Sequence, residues 1–267
     1  MNWEVITGDC LIEMPILADK GVTVEACIAD IPYGKTACKW DSVIPFAPMW
    51  ANLKRLVRRN GAIVLFGSQP FTSALVMSNP QMFRYEWIWE KSGGTGFLDA
   101  NRRPLRCHEN LLVFSDGQAT YNPQKERGQP IHATSKSLAR NTLSVYKGDH
   151  KRLPSGLTGM RFPRTVIRVA KHSETEDLHP TQKPLQLMRY LIRTYTNEGD
   201  TVLDFTCGSG STGVACAIEN RNFIGIEKDE HYAEVARARI KRASGIACDI
   251  PKQVTNERPM PLFAVNE

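Results

Sequence analysis

The stretch ADIPYG, residues 29–34, follows the apolar run VEACI and sets a carboxylate, a proline and a tyrosine where a buried strand gives way to a loop. Asp30 and the carbonyls beside it accept hydrogen bonds, Pro32 restrains the turn, and Tyr33 adds a flat apolar face. A second chemical stretch lies far away, in VLDFTCGSGSTGVAC, where Gly208, Gly210 and Gly213 have the G-x-G-x-x-G spacing between a strand and a helix. Glycines there let the backbone turn sharply and approach a ligand, and the next strand closes on Glu227, placed to accept hydrogen bonds from ribose hydroxyls. The expected occupant is a nucleoside cofactor, either a nicotinamide dinucleotide or S-adenosylmethionine. A third stretch, HPTQKP (179–184), leads LQLMRYLIRTY, whose Leu185, Met188, Leu191, Ile192 and Tyr195 have helical spacing, with Pro184 suited to the first turn. His179 and Lys183 read either as functional groups or simply as a helix cap and a surface cation.

These residues need a scaffold, and the apolar periodicity supplies one. WEVI (3–6), VEACIA (24–29), AIVLFG (62–67), YEWIWE (85–90), NLLVF (110–114), TVLDF (201–205) and FIGIE (223–227) read as strands. Residues 46–58 place Met49, Leu53, Leu56 and Val57 on one helical stripe, and 229–242 open on an Asp able to cap a helix and close on cations that suit its dipole. Alternating strands and helices predict an α/β fold with a doubly wound, mostly parallel sheet. From about 115 to 177 the pattern fails, and this polar, Gly/Pro-punctuated stretch is expected to be an insertion over the carboxyl edge of the sheet. The division expected is a catalytic half (1–114), a recognition insertion (115–177), a cofactor-binding half (178–248) and a mobile tail (249–267).

A chain of 267 residues can bury a full core. Its apolar runs are too short to span a membrane and its amino terminus has no signal pattern, so a cytoplasmic protein is expected. Seven cysteines without a Cys-x-x-Cys pair point to reduced, mostly buried thiols, not to a disulfide framework or a zinc ribbon. The net charge of +6 is unevenly placed: between Gln118 and Ser173 eleven Lys or Arg face only Glu126 and Asp149, so this segment carries +9 and the remainder −3. Such a segment is either a solvated loop or a surface for a phosphate-rich partner.

Taken together, DIPY, HPTQKP and DFTCGSG, in this order and separation, resemble the DNA amino-methyltransferases, and the order resembles the β class of that family. The resemblance covers nearly all of residues 3–243 and implies a Rossmann-like methyltransferase fold, S-adenosylmethionine as cofactor and DNA as substrate. It implies that the carboxylate of Asp30 and the carbonyl of Ile31 grip the two N–H bonds of an exocyclic base amine, that Pro32 fixes the turn, and that an extruded base stacks on Tyr33. Direct displacement of this kind needs no metal. Cofactor contacts are implied for Asp9 of TGD, for His179, Thr181 and Lys183, for Asp204, Phe205, Gly208 and Gly210, and for Glu227. Lys151, Arg152, Arg161 and Arg164 of the basic segment are the expected DNA contacts. The leading Asp of the tetrapeptide favours adenine N6 over cytosine N4. Two departures stand out: Ile31 where the family has proline, and Thr206 where it has phenylalanine, for which Phe205 could substitute as the cofactor's cover.

The alternatives are a dehydrogenase, which gives no reason for DIPY or the +9 segment, and a DNA-binding module of the same fold without turnover. Trp87 and Trp89 are expected in the core, KSGGTG (91–96) as a flexible loop that could close over substrate with Phe97 beside it, and His108 as catalytically idle. Further expected partners are a second copy of the chain and, through Leu262 and Phe263 of the tail, a bacterial sliding clamp, whose peptides end in a similar Leu-Phe pair; the plainer reading, which is favoured, folds Leu262 and Phe263 back on the chain itself or on a dimer partner.

Overall fold

The computed structural model describes residues 1–35, 41–127, 160–170 and 182–249. In chain order the elements are β1 (Trp3–Thr7), α1 (Cys10–Asp19), β2 (Val24–Ala29), α2 (Phe46–Leu56), β3 (Val57–Gly67), α3 (Phe71–Ser78), β4 (Phe83–Thr95), β5 (Arg106–Phe114), β6 (Glu126–Arg127), β7 (Met160–Arg161), β8 (Val166–Arg168), α4 (Leu185–Tyr195), β9 (Thr201–Asp204), α5 (Ser211–Ile218), β10 (Asn222–Glu227) and α6 (Glu230–Asp249). Eight strands form one sheet in the order β1-β10-β9-β2-β3-β5-β4-β8, and β6 with β7 forms a separate two-stranded ladder. All neighbours in the large sheet are parallel except β3 with β5 and β5 with β4. This is a doubly wound, mostly parallel α/β fold.

The sheet is buried on both faces, which is why its central strands read as continuous apolar runs and not as alternations. Along β3, Ala62, Val64 and Phe66 join one apolar layer and Ile63 and Leu65 the other, as a pleated strand requires. The first layer receives α4, α5 and α6 through Leu187, Leu191, Val214, Ala236 and Ile240; the second receives α1, α2 and α3 through Met14, Leu53 and Leu75. Strand order decides the site. Chain connection places β9 between β2 and β10, with Ala26 opposite Val202 and Cys27 opposite Leu203, so the loops after β2 and β9 emerge side by side at the carboxyl edge.

Several expectations are corrected. Val57 is extended and begins β3 opposite Val24, so it does not belong to the stripe of α2; the chain passes from helix to strand without a loop. Residues 91–95 of KSGGTG are the end of β4, with Thr95 opposite Arg106, because the antiparallel partner supplies hydrogen bonds that the glycines alone do not predict. Within the basic segment, β8 is a parallel edge strand on β4, with Ile88 opposite Val166, so this part extends the sheet and does not merely cover it. Helix α6 runs on to Asp249, well past 242. Trp87 and Trp89 are buried in the core. Cys10, Cys27, Cys207 and Cys216 are buried free thiols and Cys107 is an exposed one. No helix among the described residues is long and apolar enough to cross a membrane.

Candidate active site

Asp30 leaves the end of β2, and the turn after it is built by side chains. Tyr33 Oη donates to Asp30 Oδ1 at 2.7 Å, and the tyrosine ring packs on Phe71 with centroids 5.2 Å apart. Gly34, at φ +68°, takes a left-handed bend that glycine adopts without strain. The Asp41 carboxylate then receives the N–H groups of Gly34 and Lys35 at 2.8 and 2.7 Å, fixing the loop from the far side. Lys35 in turn donates its ammonium to the carbonyls of Ser68, at 3.0 Å, and Gln69. The side chain of Ile31 is buried in the layer beneath, so the loop is anchored at its second residue.

Asp30 heads a row of four alternating charges. Lys183 Nζ lies 2.6 Å from Asp30 Oδ2 and 3.3 Å from Glu109 Oε2, and Lys91 pairs with the other oxygen of Glu109. The Lys183 ammonium also sits over the ring of Phe66, 5.0 Å from its centroid. Burial pushes the Asp30 carboxyl up, with Lys183 pulling against burial and Glu109 adding to it. Burial alone would neutralise Lys183, but Asp30 and Glu109 outweigh it and hold the ammonium charged. Burial likewise opposes a charged Glu109, and Lys183 with Lys91 overcome it and bring its carboxyl below the usual range. Tyr33 is pushed well up by burial and then by Asp30, so it stays a neutral donor.

A second cluster gathers on the neighbouring strands β9, β10 and β1. Gly208 and Gly210 have φ of +52° and +81°, and a Cβ on Gly210 would stand 2.8 Å from the Cβ of Ala236 in α6. Glu227, at the end of β10, accepts from Gly208 N at 2.8 Å and Asp229 N at 2.9 Å. Asp9 follows β1, where Thr7 stands opposite Glu227; its carboxylate caps α1 through Leu11 N at 2.9 Å and meets Lys228 at 3.0 Å. Asp204 lies buried below the glycine loop, accepting from Thr212 Oγ1 at 2.5 Å and Thr206 N at 3.2 Å, and burial pushes its carboxyl up to about 7. Phe205 is 1 % exposed and packs in the core layer with Ile31 and Ile226, its ring serving the interior. The two clusters are tied by Thr206, whose hydroxyl donates to the carbonyl of Asp30 at 3.2 Å.

The structure thus brings Asp30, Ile31, Pro32, Tyr33 and Lys183 together, and beside them Asp9, Asp204, Gly208, Gly210 and Glu227. Lys183 stands on Asp30, at the catalytic cluster. Arg161 and Arg164 are exposed on and just after β7. His179, Thr181, Lys151 and Arg152 lie outside the described residues, as do Leu262 and Phe263. Sequence reading passed over Glu109, Lys91, Asp41 and the hydroxyl of Thr206. Glu109 had one signal: it adjoins His108 at the carboxyl edge, and successive strand residues point to opposite faces, so one of the two had to face the cluster.

Known proteins resemble the chain in sequence and in fold. The DNA methylase family N6_N4_Mtase matches residues 24–238. The type II methyltransferase M1.MboII of Moraxella bovis is 28% identical over 234 residues, covering 80% of this chain and 88% of its own. DNA adenine methyltransferase YhdJ of Escherichia coli (strain K12) is 26% identical over 259 residues, covering 90% of this chain and 83% of its own. Among solved structures, M1.HpyAVI in its SAM complex gives a TM-score of 0.61 at 24% identity, covering 89% of this chain and 98% of that one. The cytosine-N4-specific PvuII DNA methyltransferase gives 0.63 at 14% identity, covering 93% and 92%, so the fold is shared. With its family match running from β2 into α6, the chain belongs to the N6/N4 DNA methylase family.

Proposed function

We propose that this DNA methylase moves the methyl group of S-adenosylmethionine to the N6 amine of an adenine turned out of its duplex. The observation that carries the reading is the Thr206 hydroxyl on the Asp30 carbonyl, which fixes the acceptor loop against the glycine loop. Asp9 and Glu227 flank that loop with acceptors and negative charge, and Asp204 lies buried beneath it. Such a rim suits a nucleoside bearing ribose hydroxyls and a positive charge, and repels the phosphates of a nicotinamide dinucleotide. When bound, S-adenosylmethionine supplies a methyl group activated by its sulfonium. Glu227 would hold the ribose, Asp9 the adenine end, and Asp204 with Gly208 and Gly210 the methionine end; His179 and Thr181 are assigned to the same side of the site by family resemblance, whereas Lys183 stands on Asp30 and the Phe205 ring packs inside.

Adenine amine nitrogen is a weak nucleophile because its lone pair is shared with the ring. Asp30 and the Ile31 carbonyl accept its two N–H bonds, orient it, and stabilise positive charge developing on nitrogen. Pro32 keeps the turn and Tyr33, held by Phe71 and Asp30, is the stacking face for the base. The adenine preference is supported by the relative YhdJ, which is named a DNA adenine methyltransferase. Lys151, Arg152, Arg161 and Arg164 are the phosphate contacts of this reading, supported by the +9 charge of their segment. Action in the cytoplasm fits a DNA substrate; a homodimer and clamp docking through Leu262 and Phe263 rest on sequence alone.

The test uses tritiated S-adenosylmethionine and genomic DNA from a host without DNA methylation, digested to nucleosides and separated. Label is expected in N6-methyldeoxyadenosine. In Asp30→Ala the rate should fall by about 10²–10³-fold, while calorimetry shows cofactor affinity nearly unchanged. Label confined to cytosine, or an active Asp30→Ala protein, would overturn the assignment.

A further inference from the structure

Past Asn110, which stands opposite Gly67 at the end of β3, strand β5 leaves β3 and continues paired with β4, and beyond Glu90, the last β4 residue opposite β8, the two run on as a two-stranded ribbon. β3 is parallel to β2, so the ribbon overhangs the edge that carries Asp30. Its root is bonded into the site, because Glu109 pairs with Lys91 across the ribbon and with Lys183, which holds Asp30. Its tip is the turn between Thr95 and Arg106, opened by Gly96 at φ +94° and a single 3-10 turn, Phe97–Asp99. There Phe97 is 70% exposed and Leu98 104%, two adjacent apolar side chains that do no packing work in the fold. Arg102, Arg103 and Arg106 share the turn with Asp99 alone, so residues 96–106 carry a net charge of +2. Arg106 also faces the catalytic loop: the ammonium of Lys35, two residues past Tyr33, is lowered first by burial and then by the nearby charge of Arg106.

An exposed Phe-Leu pair on a turn that also carries three arginines, of which Arg103 pairs with Asp99 at 2.5 Å, matches a partner that is anionic outside and apolar between its layers, which is the chemistry of stacked bases between phosphates. From Glu109 to Arg106 the strand advances roughly 10 Å at 3.3 Å per residue, so tip and pocket are held apart, as a wedge and a pocket acting on one duplex must be. We propose that the β4–β5 ribbon is a strand-opening wedge, with Phe97 and Leu98 entering the base stack of duplex DNA at the place left by the base delivered to Asp30, and Arg102 and Arg103 on the flanking phosphates. This rests on the methyltransferase reading above. Filling the gap offsets the unstacking that extrusion costs, and a target already unpaired has no such cost.

The discriminating experiment compares native and single-stranded genomic DNA from a methylation-free host, with labelled S-adenosylmethionine, for the wild-type chain and a Phe97→Ala, Leu98→Ala double variant. The expected result is a loss of about tenfold or more on native DNA with the single-stranded rate held within about twofold. Phe97→Trp, which keeps an aromatic wedge, should retain the wild-type rate on native DNA. A parallel loss on both substrates marks a structural role and overturns the wedge, and an unchanged native rate overturns it in favour of another occupant, such as a second copy of the chain. Wild-type transfer to single strands only also overturns it while leaving the methyltransferase reading intact; transfer to neither substrate removes both.

Discussion

Asp30 meets two opposed demands. It must be ionised to accept an amine N–H, yet burial pushes its carboxyl up. Lys183 offsets burial at 2.6 Å, and Glu109, sharing that ammonium at 3.3 Å, adds repulsion. A raised acid pKa means that activity needing the carboxylate is lost as pH falls through a value above the usual range. Lys183→Met removes the compensating cation, so the acid limb of kcat/KM should move to higher pH. Glu109→Gln removes a negative charge and leaves Lys183 to Asp30 alone, so the limb should move to lower pH. Rate profiles with labelled cofactor decide this, and two shifts in the same direction would break the account of alternating charges.

At the scale of elements, the glycine loop is a packing device before it is a binding one. Gly210 stands at φ +81°, and an added Cβ would be 2.8 Å from Ala236 Cβ and 3.0 Å from its Cα. A Cβ on Gly213 would be 2.4 Å from Ile240 Cδ1 and 2.7 Å from Phe223. Both contacts press α5 against α6, and only glycine allows the approach that aims the first turn of α5 at the crevice between β2 and β9. Gly210→Ala should therefore cost about 1–3 kcal/mol through backbone strain and overpacking. Urea denaturation measures the loss, and calorimetry should show weakened cofactor binding in the same variant. Full stability with altered binding alone would mean that the glycine serves the ligand and not the helix pair.

For the whole molecule, the buried Asp204 makes folding stability depend on pH. Its carboxyl is raised from an ordinary 3.8 to about 7 in the fold. The folded state then binds the proton more tightly than the unfolded chain, so stability is unaffected below about pH 4, falls as pH rises toward 7, and is lowest above it. At ~1.4 kcal/mol per pH unit the full effect is about 4 kcal/mol as an upper bound. Asp204→Asn keeps an acceptor for Thr212 and Thr206 and removes the charge, so urea midpoints at pH 5 and pH 8 should differ less in the variant than in the wild type. A cationic cofactor beside Asp204 would narrow the wild-type difference; an equal slope in both proteins would reject the assignment. The same scale holds the charge separation of the chain, +9 in residues 118–173 against −3 elsewhere, which is the asymmetry on which the proposed phosphate contacts rest.

What is local was legible in the residues alone: buried strands, the glycine loop, the cap that opens α6, and the order of motifs that resembles the family. Each is legible because backbone geometry and side-chain periodicity act within a few residues. Which distant groups meet is set by the fold. Lys183 reaches Asp30, Glu109 reaches Lys183, and Thr206 reaches the Asp30 carbonyl because strand order sets β9 beside β2 and β5 beside β3. β8 escaped reading because three residues carry too little periodicity and gain their strand state from β4. The exposure of Phe97 and Leu98 was equally hidden, since an apolar pair in a loop looks the same in sequence whether it is buried or held out on a ribbon whose reach is set by the pairing of β4 with β5.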